Sequence, residues 1–492
     1  MYIIGVDIGT TNTKAVAFTM EGKVLCSAGT PNALLAGENG SHELDPESLY
    51  EGVLNVLRQV LQQTADQEGL SGISFSCAMH SFIAVDGNGK PLTAAITWAD
   101  LRSKDFAAAL KGTASGKRIY RQTGTPIHPM SPLTKLLWLK ETRPLVFRDA
   151  ARFISIKEFI WWRLFGKYRV DYSLASATGL FDIYSFDWNG EALELTGITA
   201  DRLSVPVPCT HTEKTLLPAV DHLLKLPAGL PFIIGGGDGA MANLGSHAVR
   251  PGETALTIGT SGAVRMIAAA PRHDPKERIF NYVITKKMYL CGGATNNGGG
   301  AVEWYIENFL GRNVGQGKDL DAFVEEASTV AAGCEGLIFL PYLQGERAPV
   351  WDADAKGVYF GIRSEHTQRH FMRALIEGVS YALFQVGSSL EETIGPIECI
   401  YASGGFTRSR AWLQLIADVF NRKVQVTNMA DASAIGAAIM GFYAVGLIAE
   451  LEDSGDMIRV QETYEPDEQR HAIYRRNFGV FASLYERLQD LM

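Results

Sequence analysis

Two short segments decide the fold: Asp7-Ile8-Gly9-Thr10 near the start of the chain and Thr257-Ile258-Gly259-Thr260 in its middle. Each follows an apolar run, and each is followed by a second apolar run, over 15–18 in the first case and 263–269 in the second. A strand, a Gly-Thr turn and a returning strand form a β-hairpin whose tip presents N–H groups and hydroxyls. One such hairpin is a weak signal because the pattern is common. Two of them, 250 residues apart, predict two related halves that could clamp a polyphosphate between them.

Length and composition limit the number of domains and the class of protein. The chain has 492 residues, 46% of them hydrophobic. A single core stops growing at roughly 250–300 residues, so at least two domains are predicted. The formal net charge of −9 disfavours partners such as nucleic acid or an anionic membrane surface. Any bound phosphate must therefore be held by a local site.

Cysteine spacing and apolar runs predict a cytoplasmic location. Six cysteines are scattered without a C-x-x-C pair, which disfavours a zinc site or a disulfide framework. The first residues lack the pattern of a signal peptide and carry Asp7 inside their apolar run. The longest uncharged apolar stretch, 434–449, is shorter than the roughly 20 residues that cross a bilayer. We expect it to be a buried helix.

Glycines and amphipathic patterns alternate along the chain. Many of the 50 glycines gather in clusters behind strand-like runs, as at 235–237 and 404–405. Between the clusters, apolar residues at three-to-four spacing predict helices, which lie over 45–63, 371–390, 411–420, 432–443 and 466–491. Packing of the last helix against its own domain is favoured over a homodimer interface. Strands that alternate with helices indicate an α/β fold.

The segment from Asp7 to Lys14 is the first candidate site. A carboxylate at a strand end, a glycine, hydroxyls and a cation suit Mg²⁺-nucleotide: Asp7 would hold the ion through water, and the loop would bind phosphate oxygens. The predicted phosphate-binding residues are Thr10, Thr11, Asn12 and Lys14. The segment matches neither the Walker A pattern nor G-x-G-x-x-G, so neither a P-loop nor a Rossmann mechanism is indicated.

Asp238 is the second candidate, since glycines flank it on both sides in Gly235-Gly236-Gly237-Asp238-Gly239. An N-cap aspartate at a helix start is the simpler explanation. The flanking glycines clear space that a cap does not require, and an accessible carboxylate in such a cleft could act as a general base.

A third candidate combines His80 with Trp98-Ala99-Asp100-Leu101-Arg102. An aromatic face and paired donors and acceptors suit a carbohydrate, and Arg102 with His80 would suit an acidic sugar. By composition alone the signal is weak, because a structural histidine and a surface Asp–Arg pair are common.

The ordered motifs of the chain resemble those of the FGGY carbohydrate kinases over nearly its full length. The matching segments are 7–14, 98–102, 135–138, 171–179, 237–238, 258–262, 341–349, 357–361 and 404–405. Within that family, residues 76–81, 97–100 and 345–351 are most similar to gluconate kinases. Xylulose kinases share the Met-His and W-x-D-x-R elements and are the closest alternative.

The resemblance implies a two-domain actin-like ATPase fold of the ribonuclease H-like class. Its domains would span residues 1–248 and 249–492, with mixed sheets, helices on both faces and a catalytic cleft between them. The implied activity is ATP-dependent phosphorylation of a terminal hydroxyl, most simply O6 of D-gluconate, with ATP and Mg²⁺ as cofactors.

The resemblance also assigns individual roles. Asp7 would position Mg²⁺, and Asp238 would be the catalytic base that contacts the substrate hydroxyl. The implied nucleotide residues are Thr10, Thr11, Thr260, Gly299, Glu303, Gly404, Gly405 and Ser409. The implied sugar residues are His80, Trp98, Asp100 and Arg102. Glu303, Ser409 and Leu101 differ from the residues that are frequent at these positions in relatives. This leaves open the contacts to the nucleotide base and the identity of the sugar substrate.

Three other functions remain as alternatives. A chaperone- or filament-type ATPase shares the paired loops but needs neither W-x-D-x-R nor a glycine-flanked aspartate. A non-catalytic sugar sensor would be favoured by loss of Asp7 or Asp238, and both are present. A carbohydrate-binding module would fit the aromatic content but leaves two phosphate loops unexplained.

Overall fold

The structure is a computed structural model that describes residues 1–37, 40–312, 318–429 and 431–492. The strands of the first half are β1 (Tyr2–Ile8), β2 (Asn12–Thr19), β3 (Val24–Pro31), β4 (Leu35–Ala36), β5 (His42–Leu44), β6 (Leu70–Cys77), β7 (Ile83–Val85), β8 (Ala95–Ile96), β9 (Arg152–Ile154), β10 (Arg169–Asp171), β11 (Phe181–Asp182), β12 (Asp187–Trp188), β13 (Val205–Val207), β14 (Thr212–Glu213) and β15 (Phe232–Gly237). Its helices are α1 (Pro46–Gln63), α2 (Lys104–Leu110), α3 (Ala114–Thr123), α4 (Pro132–Thr142), α5 (Pro144–Asp149), α6 (Ile156–Phe165), α7 (Tyr172–Ser176), α8 (Gly190–Thr196), α9 (Pro218–Leu224) and α10 (Asp238–Gly245).

The second half continues the alternation of strands and helices. Its strands are β16 (Glu253–Ile258), β17 (Gly262–Ala268), β18 (Phe280–Thr285), β19 (Met288–Thr295), β20 (Ile338–Leu340), β21 (Val358–Phe360), β22 (Cys399–Ser403), β23 (Lys423–Thr427) and β24 (Val460–Tyr464). Its helices are α11 (Gly299–Phe309), α12 (Lys318–Ala327), α13 (Gln368–Thr393), α14 (Arg410–Phe420), α15 (Ala432–Ala444) and α16 (Glu468–Leu488).

Two mixed sheets with the same plan organise the molecule. The first has the order β14-β15-β6-β1-β2-β3 and the second the order β18-β19-β17-β16-β22-β23-β24. In each, an antiparallel hairpin, β1–β2 or β16–β17, is extended by a parallel strand, β6 or β22, which follows a long excursion of the chain. The predicted similarity of the two halves and the predicted α/β class are therefore confirmed.

The predicted helices form where the capping residues indicate. Asp45 caps α1 by accepting from the backbone N–H groups of Glu47 and Ser48, with Pro46 at the first helical position. The long helix α13 and the helix α14 also appear, each within a few residues of the predicted bounds.

Helix α16 packs inside its own half, against α13, α14 and β20, and buries Tyr474, Phe481 and Leu484. The helix ends at Leu488, before the predicted end at 491, and Leu491 is 80% exposed. The structure leaves the homodimer alternative untested.

Helix α15 crosses from the second half to the first sheet. It contacts β1, β6, β15 and α10, and its backbone comes so close that a Cβ at Gly436 would lie 1.8 Å from the Met241 carbonyl oxygen. A division at residue 248 separates the strands of the two sheets, but it places α15 in the half whose sheet it does not cover. We keep that division as a proposal for the two sheets alone. Among the described residues, no helix is long and apolar enough to span a membrane.

Candidate active site

A cavity of 420 Å³ lies between Asp7 on β1 and the tip of the second hairpin. Both halves of the chain contribute to its wall. The first half supplies Asp7, Met79, His80, Trp98, Met130, Asp238, Gly239 and Ala242, and the second half supplies, among others, Thr257, Gly262, Arg265, Tyr282, Arg347, Gly404 and Asp431. The structure thus brings the predicted base, the predicted ion ligand and part of the predicted sugar pocket to one site.

The first hairpin turns at Gly9, Thr10 and Thr11, between β1 and β2. The turn is held by Asn32, whose backbone N–H donates to the Thr11 carbonyl (2.7 Å) and whose side-chain amide donates to the Gly9 carbonyl (2.8 Å). Thr11 and Asn12 are exposed at the tip. Their side-chain polar groups are therefore available to a ligand, and the two hydrogen bonds from Asn32 hold the turn that presents them.

The second hairpin is fixed by the start of α11. The N–H of Gly299 donates to the Gly259 carbonyl (2.7 Å), and the N–H groups of Gly298 and Gly300 donate to the Thr260 carbonyl (2.9 and 3.1 Å). A Cβ at Gly298 would lie 2.7 Å from the Ser261 backbone, so only glycine allows this approach. Thr260 remains exposed at the tip.

Asp7 is the second-last residue of β1 and lines the cavity. Its carboxylate accepts a hydrogen bond from the Ser76 hydroxyl on the parallel strand β6 (2.8 Å). Burial, together with the negative charges of Asp238 and Asp431, raises the pKa of Asp7 to about 7. A carboxylate in such surroundings is under-compensated, and a cation bound there would restore the balance.

Lys14 lies beside Asp7 in the register of β1 and β2. Its ammonium forms an ion pair with Asp431 from the second half (2.6 Å), with both side chains about 40% exposed. The predicted phosphate cation is therefore engaged across the cleft, and it joins the two halves at the cavity rim.

Asp238 is the first residue of α10, directly behind β15. The Gly239 N–H donates to its carboxylate (2.7 Å), and the Ser173 hydroxyl accepts from the N–H of Gly237 (3.1 Å). The ammonium of the buried Lys157 holds the end of β15 by donating to the carbonyls of Ile234 and Gly236. Burial raises the pKa of Asp238, which the positive charges of Arg265 and Arg347 oppose.

His80 is a neutral histidine with a fixed tautomer. Its Nδ1 lies 2.8 Å from the Ala177 carbonyl oxygen, which can only accept, so Nδ1 carries the proton. Burial and the nearby Lys135 lower the pKa of His80 to about 3. The remaining nitrogen, Nε2, is an acceptor 3.4 Å from the Tyr282 hydroxyl. Since both residues line the cavity, they can bind a substrate hydroxyl between them.

Trp98 lines the cavity and is hydrogen-bonded to the first hairpin. Its indole N–H donates to the Thr10 hydroxyl (3.3 Å), and the guanidinium of Arg347 lies 4.5 Å above its ring. The aromatic face predicted to receive a sugar is thus partly covered by an arginine from the other half of the chain.

Asp100 and Arg102 take a different position from the predicted one. Arg102 is bonded to Asp100 and Glu43 and lies over the Trp138 ring at 4.6 Å. Asp100 is 1% exposed and also accepts from the backbone N–H of His42. Neither side chain belongs to the cavity wall formed by the described residues. The structure does not support a direct sugar contact, because their polar groups already bond to one another and to neighbouring segments.

The residues predicted to contact adenosine all lie in the second half of the chain. Gly404, in a left-handed conformation with φ of 99°, lines the cavity, and Gly405 follows it on the surface. Glu303 is exposed on α11. Ser409 is buried, and its hydroxyl caps α14 by accepting from the Trp412 N–H (3.3 Å). Ser409 therefore has a structural role, and its nucleotide contact stays a prediction.

Several cavity residues were not predicted as site residues, above all Arg265, Tyr282, Arg347, Trp351 and Asp431. Arg347 lies in the Gly345–Pro349 motif that supports the resemblance. Arg265 could have been found from strand alternation, because it follows Ala263 by two residues on β17 and both line the cavity. Tyr282 and Asp431 had no local signal, since only the packing of distant elements places them here.

Comparison with known proteins agrees with this geometry. Residues 2–245 match the N-terminal domain of the FGGY family of carbohydrate kinases, and residues 254–445 match its C-terminal domain. The chain is 41% identical to a gluconokinase of Bacillus licheniformis over 99% of this chain and 96% of that protein.

Two solved structures from Lactobacillus acidophilus superimpose closely. A gluconate kinase matches with a TM-score of 0.93 and a ligand-bound xylulose kinase with a TM-score of 0.94. Each is 33% identical to this chain, and each match covers 99% of this chain and 98% of the other. With two mixed sheets, a shared cavity and these matches over both halves, the chain belongs to the FGGY family of carbohydrate kinases.

Proposed function

We propose that this kinase transfers the γ-phosphoryl group of ATP to O6 of D-gluconate and forms 6-phospho-D-gluconate. The observation that supports the reaction type best is the meeting of Asp7 and Asp238 with the second Gly-Thr hairpin at one cavity. The choice of gluconate is supported by the 41% identity to a gluconokinase, against 28% to a xylulose kinase of Staphylococcus epidermidis, each over 99% of this chain.

Asp238 is the proposed general base. Its carboxylate accepts the proton of the attacking hydroxyl, the oxygen forms a bond to the γ-phosphorus, and the bond from that phosphorus to the leaving ADP oxygen breaks. The raised pKa of Asp238 makes it a stronger proton acceptor, while the positive charges of Arg265 and Arg347 favour its ionised form. His80 and Tyr282 orient the substrate through the acceptor Nε2 and the phenol hydroxyl.

The nucleotide phosphates are assigned to the hairpin tips. Thr10, Thr11, Asn12 and Thr260 offer hydroxyl, amide and backbone donors there, and Lys14 adds positive charge at the rim. Adenosine is assigned to the surface formed by Gly299, Glu303, Gly404, Gly405 and Ser409.

Asp7 is the proposed contact for Mg²⁺. Its raised pKa, caused by burial and by two further carboxylates, shows a local excess of negative charge that fits a divalent cation. The described residues contain no cluster of three or more His, Cys, Asp or Glu side chains that could hold a metal ion, so water and nucleotide would complete its coordination. When bound, the ion would neutralise charge on the phosphates.

Xylulose or another pentulose is the second candidate substrate, because the xylulose kinase structure superimposes as well as the gluconate kinase structure. A coupled assay with ATP and gluconate, xylulose, ribulose, glycerol or fuculose ranks the acceptors directly. We expect gluconate to give the highest kcat/KM. A higher value with xylulose would replace the proposed substrate and keep the kinase reaction.

The base assignment is tested by Asp238→Asn, with Asp221→Asn on the exposed surface of α9 as the matched control. Loss of a general base commonly lowers turnover by about 10² to 10⁴-fold. Near-normal kcat in Asp238→Asn, with sugar and nucleotide still bound, would exclude Asp238 as the base.

A further inference from the structure

The cavity wall contains two guanidinium groups in addition to its carboxylates. Arg265 is on β17 and Arg347 follows β20 in the chain, and both line the cavity with Asp238 and Tyr282. The two positive charges act on one another and on Asp238. The part of the cavity that they share is therefore cationic, whereas Asp7, Asp238 and Asp431 supply its negative charge.

Two glycines leave room for the Arg265 side chain. Gly292 faces Arg265 across the β17–β19 pair, and a Cβ there would lie 3.1 Å from the Arg265 Cγ. Gly239, next to the proposed base, would place a Cβ 3.6 Å from the Arg265 Nε. A larger residue at either position would contact the arginine. The two glycines therefore leave space for the guanidinium at the cavity wall.

Both arginines keep buried donor groups without acceptors. Among the described residues, Nη1 of Arg265 and Nε of Arg347 are buried and have no hydrogen-bond partner. Arg347 is otherwise held, because its Nη2 donates to the Thr295 carbonyl (2.8 Å) and its guanidinium stacks on Trp98. Buried, charged donors without partners are costly in a folded protein unless a ligand supplies the acceptors. An anionic group is the ligand that matches them.

Resting on the proposed function, we propose that Arg265, assisted by Arg347, binds the carboxylate of the substrate and makes the kinase selective for sugar acids over neutral sugars. Arg102, which the sequence offers for this role, is bonded to Asp100 and Glu43 and lies outside the cavity wall of the described residues. His80 and Tyr282 then remain available to bind the hydroxyls of the sugar acid. Arg265 and Arg347 thus distinguish substrates by charge, and the rest of the cavity distinguishes them by shape.

Two other roles for Arg265 give different results in the same experiment. The guanidinium could serve only as the counter-charge of Asp238, or it could contact the transferred phosphoryl group. Either role would affect every sugar equally, whereas a carboxylate contact affects gluconate and spares its neutral analogue D-glucitol, in which a hydroxymethyl group replaces the carboxylate.

The experiment compares the full-length enzyme with Arg265→Met, Arg265→Lys and the control Arg272→Met, whose side chain is exposed. Affinities for gluconate and glucitol are measured by calorimetry, and KM and kcat are measured by the coupled assay. Thermal midpoints show whether each variant is folded. If Arg265→Met is unfolded, Arg265→Lys and the wild-type preference for gluconate over glucitol carry the test.

We expect Arg265→Met to weaken gluconate binding about 10- to 100-fold, the loss that follows removal of a charge-assisted hydrogen bond. Glucitol binding should change less than about threefold, and Arg265→Lys should restore part of the gluconate affinity. Equal losses of affinity for both sugars, or a wild-type enzyme that binds glucitol as well as gluconate, would overturn the inference. Gluconate that is neither bound nor phosphorylated by the wild type would instead refute the proposed function.

Discussion

Replacing Asp7 by Asn should stabilise the enzyme in the absence of Mg²⁺ while abolishing its activity. The Asp7 carboxylate, near the end of β1, is half-buried beside Asp238 and Asp431, which raises its pKa to about 7 from an ordinary value of 3.8. The folded chain therefore retains a proton on Asp7 at pH values where the unfolded chain has released it. An amide keeps the acceptor for the Ser76 hydroxyl and removes the unfavourable charge.

The direction with pH follows from this difference in proton binding. Between about pH 4 and pH 7 the folded state binds more protons than the unfolded state, so ionisation of Asp7 makes folding progressively less stable as pH rises. The effect is complete above about pH 7. At about 1.4 kcal/mol for each pKa unit its upper limit is about 4 kcal/mol, and solvent screening of a half-buried carboxyl reduces the expected value to about 2 kcal/mol.

Urea unfolding in EDTA, followed by tryptophan fluorescence at pH 5 and pH 8, measures the free energy of unfolding. This free energy should be about 2 kcal/mol higher in Asp7→Asn than in the wild type at pH 8, and the difference should be less than half of that at pH 5. Glu51→Gln, an exposed carboxyl on α1, is the control and should behave as the wild type at both pH values. Addition of Mg²⁺ with ADP should then stabilise the wild type more than Asp7→Asn.

Two results would show that Asp7 is not an under-compensated carboxylate in the folded enzyme. In the first, Asp7→Asn is no more stable than the wild type at pH 8; in the second, its gain in stability is the same at pH 5 as at pH 8. The assignment of Asp7 to the cation would then lose its physical support.

Two further predictions concern how the site is held. Gly436→Ala should destabilise the protein by about 2 kcal/mol or more and lower kcat, because the new Cβ would meet the Met241 carbonyl and displace α10, which carries the proposed base; Gly479→Ala, in open space on α16, is the control for unfolding measurements. Lys135→Met should raise KM for the sugar more than KM for ATP, since the buried ammonium donates to the carbonyls of His80, Thr97 and Met130 (2.6 to 2.8 Å); equal changes in both constants, with Lys140→Met on the same helix as reference, would contradict this role.

Local sequence patterns were sufficient wherever a short segment determines its own structure. The apolar runs on either side of Gly9 and Gly259 predicted both hairpins, and Asp45-Pro46 predicted the start of α1. The glycine-flanked Asp238 was found for the same reason, because a carboxylate between glycines at the end of an apolar run is visible in six residues of sequence.

The sugar pocket could not be derived in the same way. The W-x-D-x-R segment contains the right chemical groups, but whether Arg102 meets a ligand depends on Glu43 and Asp100, which satisfy it in the folded chain. Arg265 and Tyr282 come to the cavity because β17 and β18 face it from the second sheet, more than 160 residues beyond Trp98. No pattern within either segment reports that encounter.

The sequence by itself determined the two hairpins, the α/β class, the ordered motifs and the position of Asp238, because hydrophobic periodicity and glycine placement act over a few residues. Only the tertiary structure decided which charges share the cavity, that Lys14 pairs with Asp431, that α15 crosses to the first sheet, and which arginines keep unpaired donors at the site. Those outcomes depend on burial and on contacts between distant segments. Burial sets both the pKa of Asp7 and the cost of an unpaired guanidinium, and it exists only once the two halves have packed together.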